Sequence, residues 1–234
     1  MSSEDTFFRF PHTPHLTWLE EGEPRDDKVL QPSELATFLD APLVVEEKID
    51  GANVGIAIGT EGDIRIQNRG QYISPSYHGQ FTRLVGWLAP RRDVLFDALG
   101  ENLILFGEWC AARHSIQYTH LPDWFLLFDI YDRETSEFWS SSRRNEVAAR
   151  LDLCVVPQLF SGKTTLEALL KVLRQVQSAF ANGPLEGLML RQEAEGVLKQ
   201  RAKIVHPSFT QAIDEHWSRR ALVWNQLSAN RAPP

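Results

Sequence analysis

"EEKIDGANVG", residues 46–55, places Lys48, one of only six lysines, behind an apolar run and two glutamates and just ahead of Asp50-Gly51. The run that leads into it, "LVVEEK", reads as a β-strand. After it, "NVGIAIG" alternates Val54, Ile56 and Ile58 with small residues, "TEGD" supplies turn chemistry, and Ile64 and Ile66 resume the alternation, which together predict a hairpin. Lys48 is therefore expected at a strand end beside a hairpin. A lysine attacks only as the neutral amine, and desolvation, neighbouring cations or a metal must lower its pKa to make it so. Its sequence neighbours act the other way: alternation puts Glu46 on the lysine's face, and Asp50 favours the ammonium. K-x-D-G alone describes a surface lysine at an Asp-Gly turn equally well, so the rest of the chain must decide.

Ser33 is placed to cap a short helix carrying Leu35, Phe38 and Leu39, and Phe81, Leu84, Val85 and Leu88 fall at helical spacing. Two apolar runs, "LILFGEW" and "WFLLFDIYD", read as buried strands. Thr164 with Glu167 forms a capping-box pattern ahead of Leu166, Leu169, Leu170, Leu173 and Val176, an amphipathic helix. "EGLMLR" and "LKQRAKIV" are strands joined by "EAEG", and Ile213, Trp217 and Ala221 predict a terminal helix before a loose tail. Strands and helices mixed without a βαβ rhythm indicate an α+β fold. The expected organisation is an irregular N-terminal arm over 1–32, one domain over 33–225 and a flexible tail over 226–234.

The 234 residues, 43% hydrophobic, suffice for one large soluble domain. Cys110 and Cys154 stand far apart without a CxxC pair, which argues against a disulfide framework or zinc module and for a reducing compartment. The N-terminus lacks the basic and apolar regions of a signal peptide, so a cytoplasmic protein is expected. A net charge of -7 argues against a nucleic-acid partner until its distribution is considered. Residues 1–60 hold 12 acids and 4 bases, whereas residues 61–234 hold 19 acids and 20 bases, 16 of them arginine. The acidity belongs to the front of the chain, and the remainder permits phosphate contacts.

Several signatures fall away. "SGKTT" ends like a P-loop, but the required upstream glycine is Pro157. "HTPH" at 12–15 lacks the cysteine or carboxylate partners of a metal site, and neither GxSxG nor HExxH occurs.

Six stretches then follow in order: "EKIDGAN" (47–53), "QNRG" (67–70), "FGEW" (106–109), "FLLFDIYD" (125–132), "EGLMLR" (186–191) and "RAKIV" (201–205). On these the sequence resembles the covalent lysine nucleotidyltransferase superfamily of ATP-dependent ligases and mRNA capping enzymes, most closely its RNA ligase 2-like group. The resemblance implies a nucleotidyltransferase fold of antiparallel β-sheets flanked by helices, without the OB domain of DNA ligases and capping enzymes, since only 31 residues follow Lys203. It implies Lys48 as the residue that attacks the α-phosphate of ATP, with Glu47, Asp50, Gly51 and Asn53 completing the first motif around the nucleotide. Arg69 would contact phosphate, Glu108 the ribose, and Phe128 would stack on adenine. Glu186 would hold Mg²⁺ or Mn²⁺, and Arg201 and Lys203 would reach the phosphates. The group usually has Lys-x-Lys in its last motif, so either Arg201 and Lys203 or Lys199 and Arg201 form the pair.

The activity implied is RNA end joining: lysyl-AMP formation, AMP transfer to an RNA 5'-phosphate, then attack by a 3'-hydroxyl. End-healing enzymes would supply such ends. Sealing of DNA or mixed nicks, and a non-catalytic nucleotide- or RNA-binding relative, are the competing readings, and a capping guanylyltransferase ranks below both. Phosphoryl transfer by this set is chemically coherent, because it needs a nucleophile in line, cations on the non-bridging oxygens and a divalent metal.

Overall fold

The computed structural model describes residues 7–21, 24, 28–210 and 222–229. Helix α1 (Pro32–Asp40) leads into β1 (Leu43–Lys48), the hairpin β2 (Ala52–Ile58) and β3 (Ile64–Gln67), and helices α2 (Leu84–Leu88) and α3 (Arg92–Leu99). Then come β4 (Leu103–Trp109), β5 (Phe125–Asp132), β6 (Glu137–Phe138), α4 (Ser141–Arg150), β7 (Cys154–Val155), β8 (Gln158–Gly162) and α5 (Leu166–Gln175). The long hairpin β9 (Gly187–Ala194) and β10 (Val197–Val205) follows, and the short helix α6 (Pro207–Thr210) ends this stretch of the described chain. The α+β expectation holds: one sheet runs β10-β9-β1-β8, a second runs β3-β2-β4-β5-β6, and every pairing is antiparallel except that of β7 along β5.

Each sheet buries one face under helices. In the first, Leu43, Val45, Leu188, Leu190, Ala202 and Ile204 pack with Phe38 of α1 and Leu169 and Leu173 of α5. In the second, Val54, Ile56, Leu105, Trp109, Phe125 and Leu127 pack with Leu84 of α2, Leu95 of α3 and Val147 of α4. Alternation then fixes the opposite faces: Glu46, Lys48, Arg191, Arg201 and Lys203 on the first sheet, Asn53 and Glu108 on the second. The faces meet across the buried ion pair of Arg191 with Asp129 at 2.6 Å, and Arg144 of α4 reaches Glu46 at 2.6 Å.

The arm is irregular yet docked. Gln67 Nε2 donates to the Phe8 carbonyl at 2.7 Å, and the Phe8 ring stacks on Tyr131 at 3.7 Å. Further along, His15 bridges to Val29 and to Lys203 on the β10 edge, so the arm touches both sheets. Helix starts differ from expectation by one or two residues. Pro32 occupies the first turn of α1, where its missing N–H costs nothing, and Glu34 accepts from the Gln31 amide at 2.8 Å. In α5 it is Thr165, not Thr164, that accepts from Ala168 at 3.2 Å. The terminal helix expected around 213–221 lies outside the described residues. Residues 226–228, expected in a loose tail, instead hydrogen-bond to Tyr118 and Leu121.

Candidate active site

Lys48 is the last residue of β1 and pairs with Gly187 of β9, which brings it against Glu186. A Cβ on Gly187 would lie 2.3 Å from the Ile204 carbonyl, so only glycine lets β10 close on this point. The Lys48 ammonium donates to both carboxylate oxygens of Glu186, at 2.6 and 2.7 Å. Burial alone would lower the Lys48 pKa, but Glu186, Glu108 and Asp50 outweigh it and hold the lysine protonated. The carboxylates register the same crowding. Burial lifts Glu108 to about 8 and Glu186 to about 7; Lys48 pulls both down, while the other carboxylates push both up.

Asp50 is buried, with Oδ2 accepting from the Ser115 and Ile116 amides at 2.6 and 2.7 Å, and its own amide donates to the Tyr118 hydroxyl at 2.9 Å. A Cβ on Gly51 would come 2.7 Å from the Trp109 carbonyl, so glycine there lets the start of β2 lie against β4. Asn53 pairs directly with Glu108 across β2 and β4, and its side-chain oxygen is buried without a hydrogen-bond partner among the described residues. It is an acceptor on the sheet face that also carries Glu108.

In β5 the register jumps from Asp129 opposite Phe106 to Leu127 opposite Gly107, leaving Phe128 as a bulged residue. A bulge turns consecutive side chains to one side. Phe128 and Asp129 thus both leave the helix-covered face, and the Phe128 carbonyl accepts from Arg144 at 2.6 Å and Arg191 at 3.2 Å. Arg69 is exposed on a loop whose turn is set by Asn68, which accepts from the Gly70 and Gln71 amides, and its charge reaches Glu108. Lys203 projects from the same face as Arg201 and its charge reaches Glu186. Lys199, at the exposed end of the hairpin, pairs with Glu195 at 3.7 Å instead.

A family profile described as RNA ligase matches residues 41–205. The chain belongs to the RNA ligase family. No curated protein matches it. Its fold is similar to solved structures of Naegleria gruberi RNA ligase. With PPi, that ligase is 22% identical over 90% of this chain and 65% of its own, with a TM-score of 0.59. A point mutant with ATP and Mn is 20% identical over 88% and 64%, TM-score 0.60, and another with ATP and Mn is 20% identical over 77% and 54%, TM-score 0.57. This chain thus spans less than two thirds of the Naegleria ligase.

Within this RNA ligase fold, Lys48, Asp50, Glu108 and Glu186 converge as one charged cluster, with Arg69 and Lys203 near enough for their charges to act on it. Two expected residues stand apart. The Glu47 side chain alternates to the other face of β1, where it accepts from Ser178 Oγ at 2.6 Å and the Ala179 amide at 2.9 Å, because those partners satisfy a carboxylate that burial pushes upward in pKa. Arg201 is in an ion pair with Asp129, against the rings of Phe10 and Phe138. Sequence reasoning missed Asp129, Arg144, Ser115 and Tyr118. Asp129 is in the quoted "FLLFDIYD", and its charge inside an apolar run was the available signal; the others carried none.

Proposed function

We propose that the chain is an ATP-dependent RNA ligase that joins RNA 5'-phosphate and 3'-hydroxyl ends through lysyl-AMP on Lys48. One observation carries the reading: a partly buried lysine, held by both oxygens of Glu186, stands close enough to Glu108 and Asp50 for their charges to act on it. The Naegleria ligase structures that contain ATP and Mn support the choice of nucleotide and metal class.

The residues fit a divalent cation of the Mg²⁺ or Mn²⁺ type. Glu186, whose two oxygens now accept from the Lys48 ammonium, offers one carboxylate to a cation whose remaining oxygens would come from substrate phosphates and water. Bound there, it would polarise the α-phosphate. When Glu186 turns away from Lys48, the largest charge raising the lysine's pKa is lost and the ammonium can release its proton to solvent water. The amine then attacks the α-phosphorus, the bond to the β-phosphate oxygen breaks, and pyrophosphate leaves. Lys203 and Arg69 supply cations for the phosphates, Phe128 stacks on the base, and Glu108 and Asn53 offer acceptors to the ribose and the end being joined. The RNA 5'-phosphate next takes AMP from Lys48, and the 3'-hydroxyl displaces AMP to make the phosphodiester.

The test is incubation with α-labelled ATP and Mg²⁺ or Mn²⁺, a chase of the native labelled protein with 5'-phosphorylated RNA, DNA and mixed nicks, and then denaturation to read the label that stays on the polypeptide. Label on wild type and none on Lys48→Ala, chased by RNA ends, is expected. Chase by DNA alone moves the substrate to DNA. Binding of ATP without any label, in protein free of prior adenylate, sinks the catalytic reading and leaves a binding relative.

A further inference from the structure

The segment 222–229, separated in the chain from every proposed site residue, lies along the loop that grips Asp50. Asn225 is only 3% exposed, and its side chain spends its full hydrogen-bonding capacity there. Nδ2 donates to the carbonyls of Cys110 at 2.9 Å and Ala112 at 3.1 Å, while Oδ1 accepts from the Tyr118 amide at 2.9 Å and Gln117 Nε2 at 3.2 Å. Those partners are the two ends of the loop 110–118. Backbone bonds reinforce the contact, from Asn225 to Ala111 at 2.9 Å and from Gln226 to Tyr118 at 3.0 Å. Between the clamped ends the loop presents the Ser115 and Ile116 amides to Asp50 Oδ2 and ends at the Tyr118 hydroxyl that takes the Asp50 amide.

We infer that Asn225 is a positioning residue for the nucleophile site, holding loop 110–118 in the shape that fixes Asp50 two residues from Lys48. The inference rests on the proposed ligase chemistry. Residues 111–121 form no helix or extended strand, so their shape depends on outside partners. A primary amide is the small side chain that donates twice and accepts twice; a carboxylate cannot donate, and an alkyl group strands the buried carbonyls of Cys110 and Ala112 and the Tyr118 amide. Asn225 acts through the loop and is not itself a catalytic residue.

The experiment compares full-length wild type, Asn225→Ala and Asn225→Asp, the last keeping the shape and both acceptances while losing both donations, with Leu222→Ala as an exposed control from the same segment. Hydrogen exchange of the Ser115 and Ile116 amides and single-turnover adenylylation are both measured. Faster exchange is expected in both Asn225 variants. The rate at saturating ATP should fall on the order of 10- to 100-fold with half-saturating ATP within about threefold, because geometry and not binding is lost. In an Asp50→Asn background the Asn225 changes should add less than about threefold, since both act through one contact. Unchanged exchange, unchanged rate despite faster exchange, or the full loss repeated in the Asp50→Asn background each overturns the inference. If wild type takes no label the ligase reading falls by itself; the exchange data still decide whether Asn225 sets the loop.

Discussion

Two charge clusters occupy the facing sides of the sheets, and they are balanced differently. Around Asp129 the charges match: Glu46, Asp129 and Glu193 are paired with Arg144, Arg191 and Arg201. There burial pushes the Asp129 carboxyl up, yet Arg191 and Arg201 hold it below its ordinary value, and burial of Arg191 is likewise outweighed by Asp129, Glu46 and Glu193. Around Lys48 the charges do not match: burial first, and neighbouring carboxylates after it, raise Glu186 to about 7 and Glu108 to about 8, and the single ammonium of Lys48 only partly offsets this. A matched buried network ties the sheets together and needs nothing from outside. The mismatched one is set for a visiting cation and a nucleotide, which is where pKa perturbation marks function.

The sharpest way to break this contrast is at its two centres. Lys48→Ala should abolish adenylylation while leaving a cooperative thermal transition, because the Glu186 it leaves without its partner is already raised to about 7 and can take a proton. Arg191→Leu should instead cost about 3–5 kcal/mol of stability by taking one cation out of a buried network that keeps all three carboxylates, read as a lower urea midpoint. Loss of fold in the first variant, or an unchanged midpoint in the second, removes the distinction.

A smaller effect comes with pH. Glu108 has a folded pKa of about 8 against an unfolded value near 4.5, so the folded state binds more protons across that interval. Its contribution to stability is complete below about pH 4.5 and is lost as pH rises through about 8. In metal-free protein, Glu108→Gln should flatten the fall in melting temperature over that window. Asp129 works in the opposite sense, its contribution present above its unfolded value near 3.8 and lost on acidification. A wild-type melting temperature that rises from pH 5 to 8 no less than the variant's would contradict the mismatch.

The smallest expected effect is Arg201→Lys, which keeps the charge but loses the planar fork between Phe10 and Phe138, at about 1 kcal/mol by denaturation and within about threefold in adenylylation rate. A hundredfold rate loss at unchanged stability would return Arg201 to the phosphates.

Much of this was legible in the chain. Period-two alternation gave the hairpin β2 and β3, apolar runs gave β4 and β5, and the order of short motifs around Lys48 pointed to the carboxylates that gather there. What escaped depends on distant partners. The bulge at Phe128 is a matter of register against β4, which no local pattern encodes. The pairing of Arg201 with Asp129 brings together residues of two sheets, and no local pattern in either strand encodes it. Asn225 sits in "WNQLSAN", a stretch without periodicity, and matters only because it reaches the loop beneath Asp50. Thr165 took the cap assigned to Thr164 because adjacent threonines compete for one helix start.

The most direct test of the account is to digest the protein after incubation with ATP and a divalent cation and to locate the adenylate by peptide mass spectrometry. The account predicts one AMP, acid-labile, on the peptide that contains Lys48. AMP on another residue, or ATP bound with no covalent adenylate anywhere, would contradict it.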